Sequence, residues 1–104
     1  MTKVEVWLVD NTTKRICVSG HSGYADEGSD IVCSAISTAV MLTSGMLEDV
    51  CPEYIINTNS HKAIIDIEVK QMNDMSNIVM KNLYRTLDEI SKQYPKYVCV
   101  RINK

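Results

Sequence analysis

Gly28-Ser29-Asp30-Ile31-Val32-Cys33-Ser34-Ala35-Ile36-Ser37 opens the most apolar segment of the chain. Asp30, or Ser29 before it, suits a helix start, because a short side-chain oxygen there accepts from an amide the first turn leaves unpaired. Apolar residues continue from Ile31 to about Val50 without a proline, and Cys51-Pro52 stops the helix. Ser34, Ser37, Thr38, Thr43 and Ser44 interrupt it, which reads as a core helix and not a membrane span.

Outward from this helix the chain alternates. Val4, Val6 and Leu8 interleave with Glu5, Trp7 and Val9, the two-residue period of a half-buried strand. Asp10-Asn11-Thr12-Thr13 is a polar turn, and Ile16 and Val18 carry a second strand to Ser19-Gly20. Beyond the helix, Tyr54-Ile55-Ile56 and Ala63 through Val69 form two more strands, joined around Asn57-Thr58-Asn59-Ser60. Ala63, Ile65, Ile67 and Val69 are expected on one face, with Asp66, Glu68 and Lys70 on the other. Asp74 starts a second helix, in which Val79, Leu83, Leu87, Ile90 and Tyr94 form an apolar stripe before Pro95. Val98, Val100 and Ile102 make a last strand. The order ββαββαβ implies an α+β fold, two helices packed on one mixed five-stranded sheet, as a single domain spanning residues 1–104.

Composition narrows the function. The chain has 104 residues, 45% hydrophobic and 23% charged, a globular balance. A net charge of −2 without a basic, aromatic-interleaved cluster argues against a nucleic-acid module. Val4 to Trp7 is a strand with no basic and then apolar leader before it, so the expectation is a cytoplasmic protein whose four cysteines are free thiols. No Cys-x-x-Cys, His-x-x-x-His or glycine-rich phosphate loop occurs, so neither metal nor cofactor is expected.

Two residues carry candidate chemistry. Cys33 falls in the first helical turn, where unpaired amides and the positive end of the helix dipole favour a thiolate. His21 ends the second strand and is a candidate base. Taken singly, Cys33 is as well explained by core packing, and His21 by a surface role. Helix N-terminal amides, that of Cys33 among them, are candidate oxyanion donors. Cys17, Cys51 and Cys99 read as structural thiols, and His61 as an exposed turn residue.

The run Gly20-His21, a loop, then Gly28-x-Asp30-Ile31-Val32-Cys33-x-Ala35-x-Ser37 resembles the signature of the ribosomal-processing cysteine protease (Prp) family. The resemblance implies a small, often homodimeric bacterial cysteine endopeptidase needed for ribosome assembly. Its substrate would be the N-terminally extended precursor of the twenty-seventh large-subunit ribosomal protein, cut after an aromatic residue. It maps the nucleophile onto Cys33 and the base onto His21, with Gly20, Gly28, Asp30 and Ser37 in supporting positions. Ser34 and Ser22 stand where alanine is common, small-for-small changes expected to touch substrate fit and not chemistry.

The loop Ser22, Gly23, Tyr24, Ala25, Asp26, Glu27, Gly28, Ser29 joins the two candidate residues, so it borders the site and is expected to act as a substrate lid. Tyr24 either lines the entrance or packs on the surface. Asp30 either caps the helix or orients His21, and Ser37 either bonds near the site or bonds back to its own helix. Two other functions remain open at this level: a thiol redox sensor built on Cys33, and a non-catalytic ribosome-associated interaction module.

Overall fold

The computed structural model describes residues 1–25 and 30–104. Its elements are β1 (Thr2–Val9), β2 (Thr12–Ser19), α1 (Ile31–Val50), β3 (Glu53–Asn59), β4 (Ile64–Gln71), α2 (Asp74–Gln93) and β5 (Val98–Asn103). The strands form one sheet in the order β3-β4-β2-β1-β5, with only β1 and β5 parallel. The ββαββαβ order and the two-helix, mixed-sheet architecture expected from the sequence are both present.

Register explains which face is apolar. Val18 lies opposite Val4 and Ile65, Ile16 lies opposite Val6 and Ile67, and Val4 lies beside Val100. Side chains alternate across a strand, so these apolar rows share one face of the sheet. They join Val32, Ile36, Val40 and Leu47 of α1 and Val79, Met80, Leu83 and Leu87 of α2 in one core. The other face is polar. There Arg15 makes a two-pronged bond to Asp66, at 2.9 and 2.6 Å, and its guanidinium lies 4.3 Å from the Trp7 ring centroid. Asp66 and Glu68 face this side as expected, and Lys70 reaches Glu68 at 3.0 Å.

Boundaries moved where backbone chemistry allows it. The β1–β2 turn shrinks to Asp10-Asn11, both with positive φ, a conformation that short polar side chains tolerate and two-residue hairpins require. In the second hairpin Ala63 is not a strand residue. It sits in the turn with φ +50, and its carbonyl accepts from the Gly20 amide at 2.9 Å. Asn59 shapes that turn by accepting from the Lys62 amide at 3.1 Å, so β3 runs on to Asn59.

Both helices are capped by short polar residues. Asn73 and Ser76 form a reciprocal capping box for α2, and Asp30 caps α1. The helix α1 packs on the core by one face only. By length and composition alone α1 could cross a membrane, with a mean hydropathy of 1.5. Here it buries one face in the core and leaves Met41 and Leu42 on the other 72% and 64% exposed.

Leu47 of α1 is fully buried, so Leu47→Ala should cost about 2–5 kcal/mol of unfolding free energy through lost burial and a residual cavity. Met75→Ala, on the exposed first turn of α2, should stay within about 0.5 kcal/mol. Urea denaturation of the two variants beside the parent checks both values.

Candidate active site

The site begins where β2 leaves the sheet. Gly20 has φ +85, and a Cβ there would lie 2.8 Å from the Met1 carbonyl oxygen. Only glycine fits without displacing that backbone. The Gly20 carbonyl accepts from the Thr2 hydroxyl at 3.4 Å, so the end of β2 is held between the start of β1 and the β3–β4 turn. This hold turns His21 outward, exposed on the rim of a cavity, and sends Ser22 inward.

Asp30 closes the other end of the loop. It is buried, with extended backbone, and one carboxylate oxygen accepts from the amides of Val32 and Cys33 at 3.0 and 2.9 Å. Its second oxygen accepts from the Ser22 hydroxyl. Burial pushes the Asp30 carboxyl up, but the bonds from Ser22, the Cys33 amide and the Ala25 amide outweigh it and bring it down to about 2. Asp30 therefore caps the helix. Among the described residues its partners do not include His21, so the orienting alternative finds no contact here.

Cys33 is the third residue of α1. Its Sγ accepts from the Ser22 amide at 3.4 Å, and its thiol donates to the Ser22 hydroxyl oxygen at 3.5 Å. The Cys33 amide is occupied by Asp30, which corrects the expectation that it serves as an oxyanion donor in this arrangement.

His21 and Cys33 line one cavity of about 730 Å³, together with Gly20, Gly23, Ala25, Asp30, Ser34 and Ser37. No hydrogen bond joins the imidazole to the sulfur among the described residues. The opposite wall escaped sequence reasoning. It comprises Thr58 and Asn59 at the end of β3, Ser60 and Ala63 of the β3–β4 turn, and Ile64 and Ile65 at the start of β4. These residues come within reach because β4 pairs with β2, a long-range register that no local spacing encodes.

Two of the loop residues expected to face substrate are placed elsewhere. Ser22 lies behind Cys33, 2% exposed, and does not line the cavity. Tyr24 packs edge-on against Tyr94 and Tyr97, with ring centroids 5.6 and 5.2 Å away, and its amide donates to the Ser22 hydroxyl at 3.2 Å. Asp26, Glu27, Gly28 and Ser29 lie outside the described residues. The four cysteines are free thiols. Cys51 is buried, and burial raises the half-buried Cys17 thiol above its ordinary range. Cys99 is exposed on β5, a surface thiol and not a packed one.

The Asp30 network should show in the pH dependence of stability. A carboxyl held below its ordinary value of 3.8 in the fold stabilises the protein above that value and loses the contribution as pH falls through about 2. The stability difference between the parent and Asp30→Asn should be on the order of 2 kcal/mol near neutral pH and shrink below about pH 4. Chemical denaturation of both proteins across that range measures it.

Known proteins share this fold. The family model for cysteine protease Prp matches residues 1–99. Among solved structures, the essential ribosomal processing protease Prp from S. aureus with a covalently linked product peptide superposes with a TM-score of 0.91 at 19% identity, covering 99% of this chain and 100% of that one. The same protease with a substrate peptide gives a TM-score of 0.85 at 18% identity, with 99% and 100% covered. SMU.848 from Streptococcus mutans gives 0.79 at 17% identity, with 98% and 93% covered. Among curated proteins none matches by sequence. At these identities the structures speak for the fold, whereas the family model spans nearly the whole chain: this protein belongs to the cysteine protease Prp family.

Proposed function

We propose that the chain is a cytoplasmic, homodimeric endopeptidase that removes the N-terminal extension of the twenty-seventh large-subunit ribosomal protein, with Cys33 as nucleophile and His21 as base. The observation that carries this reading is that His21 and Cys33 line one cavity, at the end of β2 and in the first turn of α1. Relatives solved with substrate and product peptides are described as ribosomal processing proteases, which supports the choice of substrate class.

The chemistry follows from this placement. His21 swings from the rim toward Cys33 and takes the thiol proton, and the thiolate attacks the scissile carbonyl. His21 then returns the proton to the departing amine, leaving a thioester on Cys33. Water activated by the same imidazole hydrolyses the thioester and restores the thiol. The cavity presents apolar Val18, Ile36 and Ile65 beside polar Thr58 and Asn59, a wall suited to a peptide with an apolar anchor and main-chain hydrogen bonds. The redox-sensor alternative lacks support, since none of Cys17, Cys51 and Cys99 lines this cavity. The net charge of −2, without a basic, aromatic-interleaved cluster in the sequence, argues against direct nucleic-acid contact. The dimer reading draws on α1, whose outer face exposes Met41 and Leu42, apolar surface that water does not favour.

Cys33→Ala and Cys33→Ser should each lower cleavage of an extended ribosomal-protein peptide by roughly 10⁴-fold or more, with the fold intact. His21→Ala should fall comparably near neutral pH and recover partly at high pH, where the thiol ionises without help. Alanine in place of the aromatic residue before the cut should suppress cleavage by the parent. Mass analysis of the products scores all four arms, and near-normal turnover by Cys33→Ala removes the assignment.

Light scattering after gel filtration tests the assembly. The parent should run at twice its chain mass, and Met41→Glu with Leu42→Glu at the single-chain mass, because two buried carboxylates without partners oppose association. A monomeric parent rejects the dimer.

A further inference from the structure

The residue behind Cys33 is not inert packing. Ser22 meets the sulfur twice: its amide donates to Sγ at 3.4 Å, and its hydroxyl oxygen accepts from the thiol at 3.5 Å. A hydroxyl has one proton, and that of Ser22 is given to the buried Asp30 carboxylate. Toward Cys33 the Ser22 oxygen therefore offers only lone pairs, and the Tyr24 amide, donating at 3.2 Å, fixes the oxygen further. Lone pairs accommodate an S–H and face a thiolate unfavourably. The Asp30 carboxyl stays ionised down to about pH 2, so this polarity is constant over any working pH.

We infer that Ser22 is a positioning residue of the protease site, which holds the resting Cys33 as an oriented thiol until His21 takes its proton. This rests on Cys33 being the nucleophile, as proposed above, and extends it. Ser22 contributes opposing elements to one atom. The amide supports the anion once formed, and the hydroxyl retains the proton beforehand. Among the described residues the thiol's acceptor is the Ser22 oxygen, with the Asp30 carboxylate beside it, and not the imidazole, so activation requires the proton to change acceptor. Among the described residues lining the cavity, the titratable groups besides Cys33 are His21 and Asp30, and the β3–β4 wall supplies none. Ser22 itself lies outside the lining, so its role does not depend on touching peptide.

The test is alkylation of Cys33 by iodoacetamide as a function of pH, read by peptide mapping because Cys99 is also exposed. Ser22→Ala should react about fivefold faster than the parent near neutral pH, the effect of one modest hydrogen bond. The two profiles should converge as pH rises. Ser22→Thr, which keeps the hydroxyl, should return the parental profile, and the acid limb of cleavage should move to lower pH in Ser22→Ala alone. A second measurement needs no Ser22 variant: the infrared difference between the parent and Cys33→Ala should contain a hydrogen-bonded S–H band. Superimposed alkylation profiles, an offset equal at every pH, or a free-thiol band overturn the inference while leaving Cys33 as nucleophile. Cleavage surviving in Cys33→Ala overturns both, and that result alone bears on the nucleophile.

Discussion

The Asp30 carboxylate is the tie on which the site depends. One oxygen satisfies two amides of the first turn of α1, and the other takes the hydroxyl of Ser22, which follows the end of β2. A helix start leaves amides unpaired, and a buried carboxylate needs donors, so each requirement meets the other. Strand end and helix start are thereby joined. Cys33 is placed by this tie, since it is the third residue of the helix that Asp30 begins.

A second constraint acts from the sheet. Gly20 is pinned between Met1, Thr2 and Ala63, so the chain must leave the sheet in one direction. His21 turns outward and Ser22 inward as a consequence. The β3–β4 turn, held by the same contact, becomes the far wall of the cavity. His21, Cys33 and the wall come from three regions of the chain, and packing of one sheet against two helices brings them together.

The two faces of α1 have different uses. Val32, Ile36, Val40 and Leu47 anchor the helix in the core, which holds its N-terminal turn still beneath the cavity. Met41 and Leu42 on the outer face do no such work within the chain. Tyr24, packed on Tyr94 and Tyr97, restrains the first half of the loop, a contact between segments some seventy residues apart. His21, by contrast, is exposed.

Local sequence determined the elements, because two-residue and helical periodicities are imposed by backbone geometry over a few residues. The alternation from Val4 to Leu8, the stripe from Val79 to Leu87 and the cap at Asp30 were all legible in that way. So was the nomination of His21 and Cys33, through residue types and a family-like run. Spacing did not reveal that Ala63 belongs to a turn, or that Thr58 and Asn59 line the same cavity as Cys33. It could not show that Ser22 was a buried partner of the sulfur and not a loop residue awaiting substrate. Those facts follow from strand order, from long-range register and from which polar groups find each other once water is excluded. They are properties of the packed chain, since a hydrogen bond between Ser22 and Asp30 has no local signature until both are buried together.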